Sequence, residues 1–407
     1  MAHGHPMSRL GGWEGYVVRE DWIERRAGQS CCVIRLEPIR GWQRCCGGCG
    51  ELTSSIHDLE ERRVRYLPVF EHCVELIVPR VRVACLHCGP KLERLGWLAP
   101  YARVTQRLAE SAGRLCEVMA IRHVARYFGL DWKTVKGIDR ARLERSLGPI
   151  DLDGLEVIAL DEFAIQKGHR YATVIVEPTR KRVLWVGRGR GREDVRPFFQ
   201  LLGPQRCRRL RAAAMDMNAG YELEVRRHCP NAAIVFDLFH VVAKYGREVI
   251  DRVRVDRANE LRDDRRGRRV VKGARWLLLK NRDSLRPGED VQLDELLAAN
   301  HGLFVVYLLR DALKELWAYR HPGYAARARR SWYRKALRSG IEPLIRFARR
   351  LRPYLPGILA HCRWPLGTSL IEGINNKIKV IKRMAYGFRD DTYFFLKIRA
   401  AFPGVGR

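Results

Sequence analysis

Three short apolar runs each end in an aspartate: LEVIALD (155–161), AAAMD (212–216) and AAIVFD (232–237). Runs this short and this apolar, separated by helical stretches, read as buried strands of an α/β core over residues 154–240. Tyr171–Val176 and Val183–Val186 read as two more strands, with Lys167, Gly168 and His169 forming a turn before them. In α/β sheets, site residues gather where strands end, because the scaffold there is rigid and the ends are open. Asp161, Asp216 and Asp237 are therefore candidates for one site.

A fourth acid lies far downstream, in SLIEGINNKIKVIKR (369–383). Counting by three and four along a helix, Glu372, Asn375 or Asn376, Lys379, and Lys382 or Arg383 share one face. Three carboxylates can hold two magnesium ions, one activating an attacking oxygen and the other stabilising the leaving oxygen. Magnesium prefers hard oxygen ligands, which acids provide. Cations on the same helix suit a DNA backbone beside the scissile phosphate. Each acid also has an ordinary reading. Asp161 could cap a turn, with Glu162 pointing to the opposite side if the strand continues. Asp216 could start a helix before Met217 and Asn218, and Glu372 follows Ser369 at the spacing of a capping box.

Outward from this core, residues 31–90 carry eight of the twelve cysteines. Cys46 and Cys49 form one C-x2-C knuckle and Cys85 and Cys88 another, with strand-like alternation between them, as at Val74, Leu76 and Val78. Two knuckles joined by strands match a zinc ribbon: four thiolates around a structural Zn2+ with no open position. The metal is expected to replace a hydrophobic core that so small a module cannot build. The gap from Cys49 to Cys85 is long for a ribbon, and His57 and His87 are possible substitute ligands. Residues 120–138 (AIRHVARYFGLDWKTVKGI) carry a small Ala125, a turn Gly129 and an apolar Val135 at the offsets of a helix-turn-helix. Asp131 caps the second helix, which leaves Trp132, Lys133, Thr134 and Lys136 to face a DNA groove.

Seventy-six Lys and Arg against forty-six Asp and Glu give a formal charge of +30 over 407 residues. Such an excess favours a polyanionic partner, nucleic acid first. No apolar run approaches the ~20 residues that span a bilayer, and the first ten residues have no apolar core like a signal peptide's. The expectation is a cytoplasmic, nucleoid-associated protein with no membrane partner. The fold expected is multidomain: a zinc-ribbon domain (1–95), a helix-turn-helix domain (96–150), an α/β core (151–240), an Arg-rich all-helical stretch (241–362) and a C-terminal helix with a basic tail (363–407). RDDRRGRRVVK (262–272), the densest charge cluster, reads as a solvated loop or a phosphate-contacting patch.

The stretches LDEFAIQKGHRYATV, MDMNAGY, FDLFHVV and EGINNKIKVIKRMAYGFRD strongly resemble the ISL3 family of insertion-sequence transposases, over nearly the whole chain and in the family's order. The resemblance implies an RNase H-like catalytic core with a DDE triad, interrupted by the helical stretch 241–362 as an insertion. By the motifs, the first acid is Asp161 and the last Glu372. The second is Asp216, with Asp237 and His240 as an accompanying D-x2-H pair; the alternative takes Asp237 itself. The implied cofactor is Mg2+ (or Mn2+), beside structural Zn2+. The implied activity is cleavage and strand transfer at the terminal inverted repeats of the element, by at least a dimer on DNA. All motifs are present, as in an intact copy rather than a remnant. A non-catalytic DNA-binding regulator and an RNase H-like nuclease are the alternatives.

Overall fold

The computed structural model describes residues 5–26, 28–70, 72–166, 168, 170–366 and 369–404. The turn residues Lys167 and His169, and the side chain of Ser369, lie outside the described residues. The chain forms two compact units: Met1–Gly148 with Ile381–Leu396, and Pro149–Val380 with Lys397–Arg407.

Among the described residues the first unit is built on seven strands: β1 (Tyr16–Arg26), β2 (Gln29–Pro38), β3 (Arg44–Cys45), β4 (Leu52–Thr53), β5 (Ile56–Val69), β6 (His72–Cys85) and β7 (Gly89–Leu92). Five form one sheet in the order β1-β2-β6-β5, with β7 on β6, while β3 and β4 pair separately. Val74, Leu76 and Val78 alternate on one face of β6 and are fully buried against Trp13, Tyr16 and Tyr66. This corrects the expectation that the metal stands in for a hydrophobic core. The module has its own aromatic and aliphatic core, and the long gap between the knuckles is filled by the fourteen-residue strands β5 and β6.

Three helices follow: Gln106–Leu115, Ile121–Phe128 and Trp132–Leu147. Gly129 ends the second with φ 61°, the left-handed conformation that costs other residues strain. The N–H of Leu130 then returns to Ala125 O at 2.8 Å. Asp131 Oδ1 accepts from Lys133 N at 2.8 Å, capping the third helix as expected. Val124, Phe128 and Val135 bury the corner.

The second unit holds β8 (Val157–Gln166), β9 (Arg170–Glu177), β10 (Arg182–Arg188), β11 (Ala212–Met215) and β12 (Ala233–Phe236), in the sheet order β10-β9-β8-β11-β12. β8, β9 and β10 pair antiparallel, and β8, β11 and β12 pair parallel. Alternation sorts the strand residues by face. Ile158, Leu160, Ala213 and Met215 pack into the large core with Phe198 and Tyr221, from the helices Arg192–Arg209 and Ala219–His228. Val157, Ala159, Ala212, Ala214 and Val235 pack on the other face with Ile371.

Residues 238–362 are helical, and the large core extends through them. Two of their large buried side chains bond to backbone within the body: Trp332 Nε1 donates to Leu309 O and Tyr245 Oη to Val306 O, each at 2.8 Å. The charge cluster 262–272 is not a simple loop. Asp264 caps a helix over Arg265–Gly273, whose Val271 is buried. Among the described residues no single helix is long and apolar enough to cross a membrane.

Candidate active site and zinc centre

The parity that buries Val157 and Ala159 places Asp161 on the same face, and likewise Asp216 after Ala214 and Asp237 after Val235. Register makes them level. Ala159 pairs with Ala214 across β8 and β11, so Asp161 and Asp216 each stand two residues beyond a paired position. Met215 pairs with Phe236, and Asp237 N donates to Met215 O at 3.0 Å. Asp161, Asp216, Asp237 and His240 line one pocket together with Ala159 and Ala214. The run LEVIAL does not end its strand at Asp161, contrary to expectation. β9 continues to pair with β8 as far as Gln166, so Asp161 is mid-strand, at the level where the shorter β11 and β12 stop.

The oxygens of these acids differ in their partners. Asp161 Oδ1 accepts from Glu162 N at 2.8 Å, and its Oδ2 from Asn375 Nδ2 at 2.6 Å. Asp237 caps the helix Leu238–Tyr245, with Oδ1 accepting from Phe239 N at 2.7 Å and Oδ2 meeting His240 Nδ1 at 3.0 Å. Asp216 Oδ1 is buried with no hydrogen-bond partner. Asp216 does not cap the next helix; Asn218 does, accepting from Gly220 N at 2.8 Å. Burial pushes the Asp161 carboxyl up to about 6, against the opposing Glu162 N–H and the His240 charge. Burial also raises Asp216. The Asp237 carboxylate holds the His240 imidazole above its usual range, against the effect of burial.

The helix Ser369–Met384 meets this face through Ile371. Its contact to Asp161 is Asn375, not Glu372, which is exposed. Asn376 and Lys379 are exposed and touch one another at 3.3 Å, Arg383 is exposed, and Lys382 is half-buried. The sequence reading placed Asn375 on the helix face of Glu372 but missed its bond to a strand acid. It missed Arg190 as well, in the Gly-Arg alternation of residues 187–192. Arg190 Nη1 donates to Glu162 Oε1 at 2.7 Å and its guanidinium lies 4.0 Å from the Tyr171 ring centre.

In the first unit, the ligating sulfurs of Cys46, Cys49, Cys85 and Cys88 all lie within 4.8 Å of one another, the donor set of a structural zinc. Among the described residues no other three candidate ligands are drawn that close. Backbone N–H groups of Cys49 and Gly48 hold the Cys46 thiol down to about 6, which favours the metal-binding thiolate. His87 and His57 are engaged elsewhere, with Glu51 at 3.0 Å and Asp58 at 2.9 Å. Cys31 and Cys73 are neighbours across β2 and β6, and burial pushes the Cys31 thiol up to about 12. In the third helix, Trp132, Lys133 and Thr134 are exposed. Lys136 is not free for a groove: its Nζ lies 2.7 Å from Asp390 Oδ2.

The comparisons agree with this division of labour. A family model for ISL3 DDE proteins, described as a transposase, matches residues 158–398. One described as the helix-turn-helix domain of transposase family ISL3 matches 93–143. One described as the zinc-finger of transposase IS204/IS1001/IS1096/IS1165 matches 42–88. The chain is 55% identical over 403 residues, 98% of each chain, to the transposase for insertion sequence element IS1001 of Bordetella parapertussis. It is 28% identical over 400 residues, 91% of this chain and 88% of the relative, to the transposase for insertion sequence element IS1557 of Mycobacterium tuberculosis (strain ATCC 25618 / H37Rv). With a family model matching more than half its length and a relative matching nearly all of it, the chain belongs to the ISL3 family of insertion-sequence transposases.

Proposed function

We propose that this chain binds the terminal inverted repeats of its insertion sequence and catalyses metal-dependent DNA strand cleavage and strand transfer. The observation that carries the chemistry is the level row of carboxylates, Asp161 buried and Asp216 and Asp237 half-buried, with one buried oxygen, Asp216 Oδ1, left unpartnered. Gathering and desolvating like charges is unfavourable, and an unsatisfied buried carboxylate oxygen is more so. The one imidazole there, His240, is already bonded to Asp237 and does not offset three acids. The hard-oxygen donor set fits magnesium or manganese. Asp161 and Asp216 would hold the cation, with Glu372 as the third acid. A divalent cation there supplies Lewis-acid activation of the attacking oxygen and stabilises the leaving oxygen.

The chain's own residues do the rest. Asp216 is favoured as the second acid over Asp237 because its Oδ1 is buried without a partner, whereas Asp237 is already engaged in capping a helix and orienting His240. His240, its pKa raised by its bond to the Asp237 carboxylate, stands beside the acids. Trp132, Lys133 and Thr134 face the terminal repeat, and Lys136 joins them once Asp390 gives it up. Asn376, Lys379, Lys382 and Arg383 lie along the DNA backbone near the scissile phosphate. The strand order supports an RNase H-like core, with the helices between β12 and the Glu372 helix as an insertion that contacts transposon ends. The enzyme acts on nucleoid DNA in the cytoplasm, at least as a dimer that pairs two ends. The five-part division of the chain given above remains the proposed domain scheme.

The test is cleavage and joining of an end-labelled fragment carrying the element's terminus, with magnesium. Asp161→Ala, Asp216→Ala and Glu372→Ala are expected to bind the terminus and not cut it. Wild type that binds the terminus and never cuts it would overturn the enzymatic reading.

A further inference from the structure

We infer that Asn375 is a positioning residue for the metal site: its amide fixes the Asp161 carboxylate in the orientation that receives the cation. The inference rests on the assignment of Asp161 as a ligand.

Asp161 projects from the middle of a strand, so its backbone is fixed. Two torsions of its side chain remain, and a carboxylate free to swing about them has no single ligand geometry. Each of its oxygens is held by one donor on one lone pair: Oδ1 by the N–H of Glu162 at 2.8 Å, and Oδ2 by Asn375 Nδ2 at 2.6 Å. A carboxylate oxygen offers two lone pairs, so each keeps one for a cation. The first donor is backbone and comes with the strand. The second comes from a separate helix, and is the one clamp that a side-chain substitution can remove.

The amide is suited to this role in a way a cation is not. A lysine or arginine there would neutralise Asp161 and compete with the metal for it, whereas the neutral NH2 orients the oxygen and leaves its charge available. Asn375 Oδ1 is itself buried and has no partner. The amide therefore carries an unsatisfied carbonyl oxygen to the edge of the same acids, a second hard donor with no partner among the described residues. Hydrogen-bond partners of metal ligands generally contribute about 10- to 100-fold to metal affinity.

The experiment is Mn2+ titration of the full chain, with its zinc retained and no DNA, read by the electron paramagnetic resonance of free Mn2+. Asn375→Ala is expected to raise the half-saturating Mn2+ concentration about tenfold or more. Asn375→Leu, which keeps the side-chain volume and suits a helix, should do the same and guards against a repacking effect of the smaller residue. Lys377→Ala, exposed on the same helix, should leave Mn2+ affinity as in wild type. Zinc content and melting temperature report that the variants are folded. Unchanged Mn2+ affinity in both Asn375 variants overturns the inference. So does tighter binding, which would make Asn375 a plug occupying the metal's place. Asp161→Ala in the same titration separates the two levels. If it abolishes Mn2+ binding while Asn375→Ala does nothing, only the role of Asn375 falls. If it too changes nothing, the metal-site reading falls, and the inference with it.

Discussion

Neutralising Asp216 should remove activity and raise stability. Its Oδ1 is buried with no partner, and burial shifts its pKa upward. A carboxylate whose folded pKa lies above its unfolded value opposes folding at any pH above the unfolded value, and the penalty vanishes once it is protonated. Asp216→Asn keeps the shape and discards the charge, so at pH 7 and without divalent metal its melting temperature should equal or exceed that of wild type. Function should go the other way. Loss of a ligand acid forfeits several kcal/mol of transition-state stabilisation, and at 1.36 kcal/mol per decade that is about a thousandfold in single-turnover cleavage. Asp237→Ala should show the reverse pattern. It removes a helix cap contributing about 1 kcal/mol, equivalent to about 2–4 °C in a unit of this size, and it leaves His240 unoriented. The assay pairs thermal melting in chelator-free buffer, so that zinc stays bound, with cleavage of a terminus-bearing fragment. If Asp216→Asn melts well below wild type and still cuts at the wild-type rate, the reasoning from the unpartnered oxygen is wrong, and Asp237 takes its place as the second acid.

Other expectations follow from the same contacts. Gly129→Val puts a branched residue at φ 61° and should cost about 1–2 kcal/mol in urea unfolding, with weaker binding to the terminus by fluorescence anisotropy. Lys133→Ala, at an exposed position, should reduce the slope of log affinity against log salt by about one; an unchanged slope removes it from the DNA face. Cys85→Ser should abolish zinc binding, measured by atomic absorption. The far-UV signal of the strands should survive, because Val74, Leu76 and Val78 are packed without the metal. Glu224 is pushed up by burial, but hydrogen bonds from Arg196 and Arg192 outweigh this and bring it down to about 2 from its ordinary 4.5. A depressed folded pKa stabilises above the unfolded value and loses that stabilisation as pH falls toward 2. Glu224→Gln should therefore flatten the acid limb of the melting curve between pH 4.5 and 2, and a limb parallel to wild type would count against the Arg network.

What the sequence disclosed tracks how local each determinant is. The runs ending in Asp161, Asp216 and Asp237 encode both a strand and a parity, and parity puts the acids on one face once the strands are neighbours. The helix-turn-helix was readable for the same reason: Gly129 and Asp131 act on residues within one turn of themselves. The end of β8 was misplaced because Asp161–Gln166 stays extended only through pairing with β9, which a run of hydrophobicity does not record. The ion pair of Lys136 was not legible because its partner, Asp390, is 254 residues away in sequence. The core of the first unit was underestimated because Trp13 and Tyr16 belong to a stretch with no clear periodicity, and join β6 only in three dimensions.

The proposed third acid, Glu372, is the instructive case, because a helix acid arrives by different physics from a strand acid. Backbone pairing fixes the strand acids without regard to their side chains. The helix Ser369–Met384 instead docks by its apolar seam, and Ile371, Ile374 and Ile378 are its buried residues within the second unit. At about 100° per residue, Asn375 stands roughly 65° from the centre of that seam and Glu372 roughly 125°. The seam thus brings Asn375 against Asp161 and leaves Glu372 on the exposed flank, where the structure has it. The difference is about 60° of helix rotation, or the reach of a longer side chain. Strand acids that project squarely from a sheet need little length, and here they are aspartates. An acid on the flank of a docked helix needs the extra methylene, and here it is a glutamate. The same seam makes the helix's azimuth, rather than the acid alone, the determinant of whether three carboxylates meet.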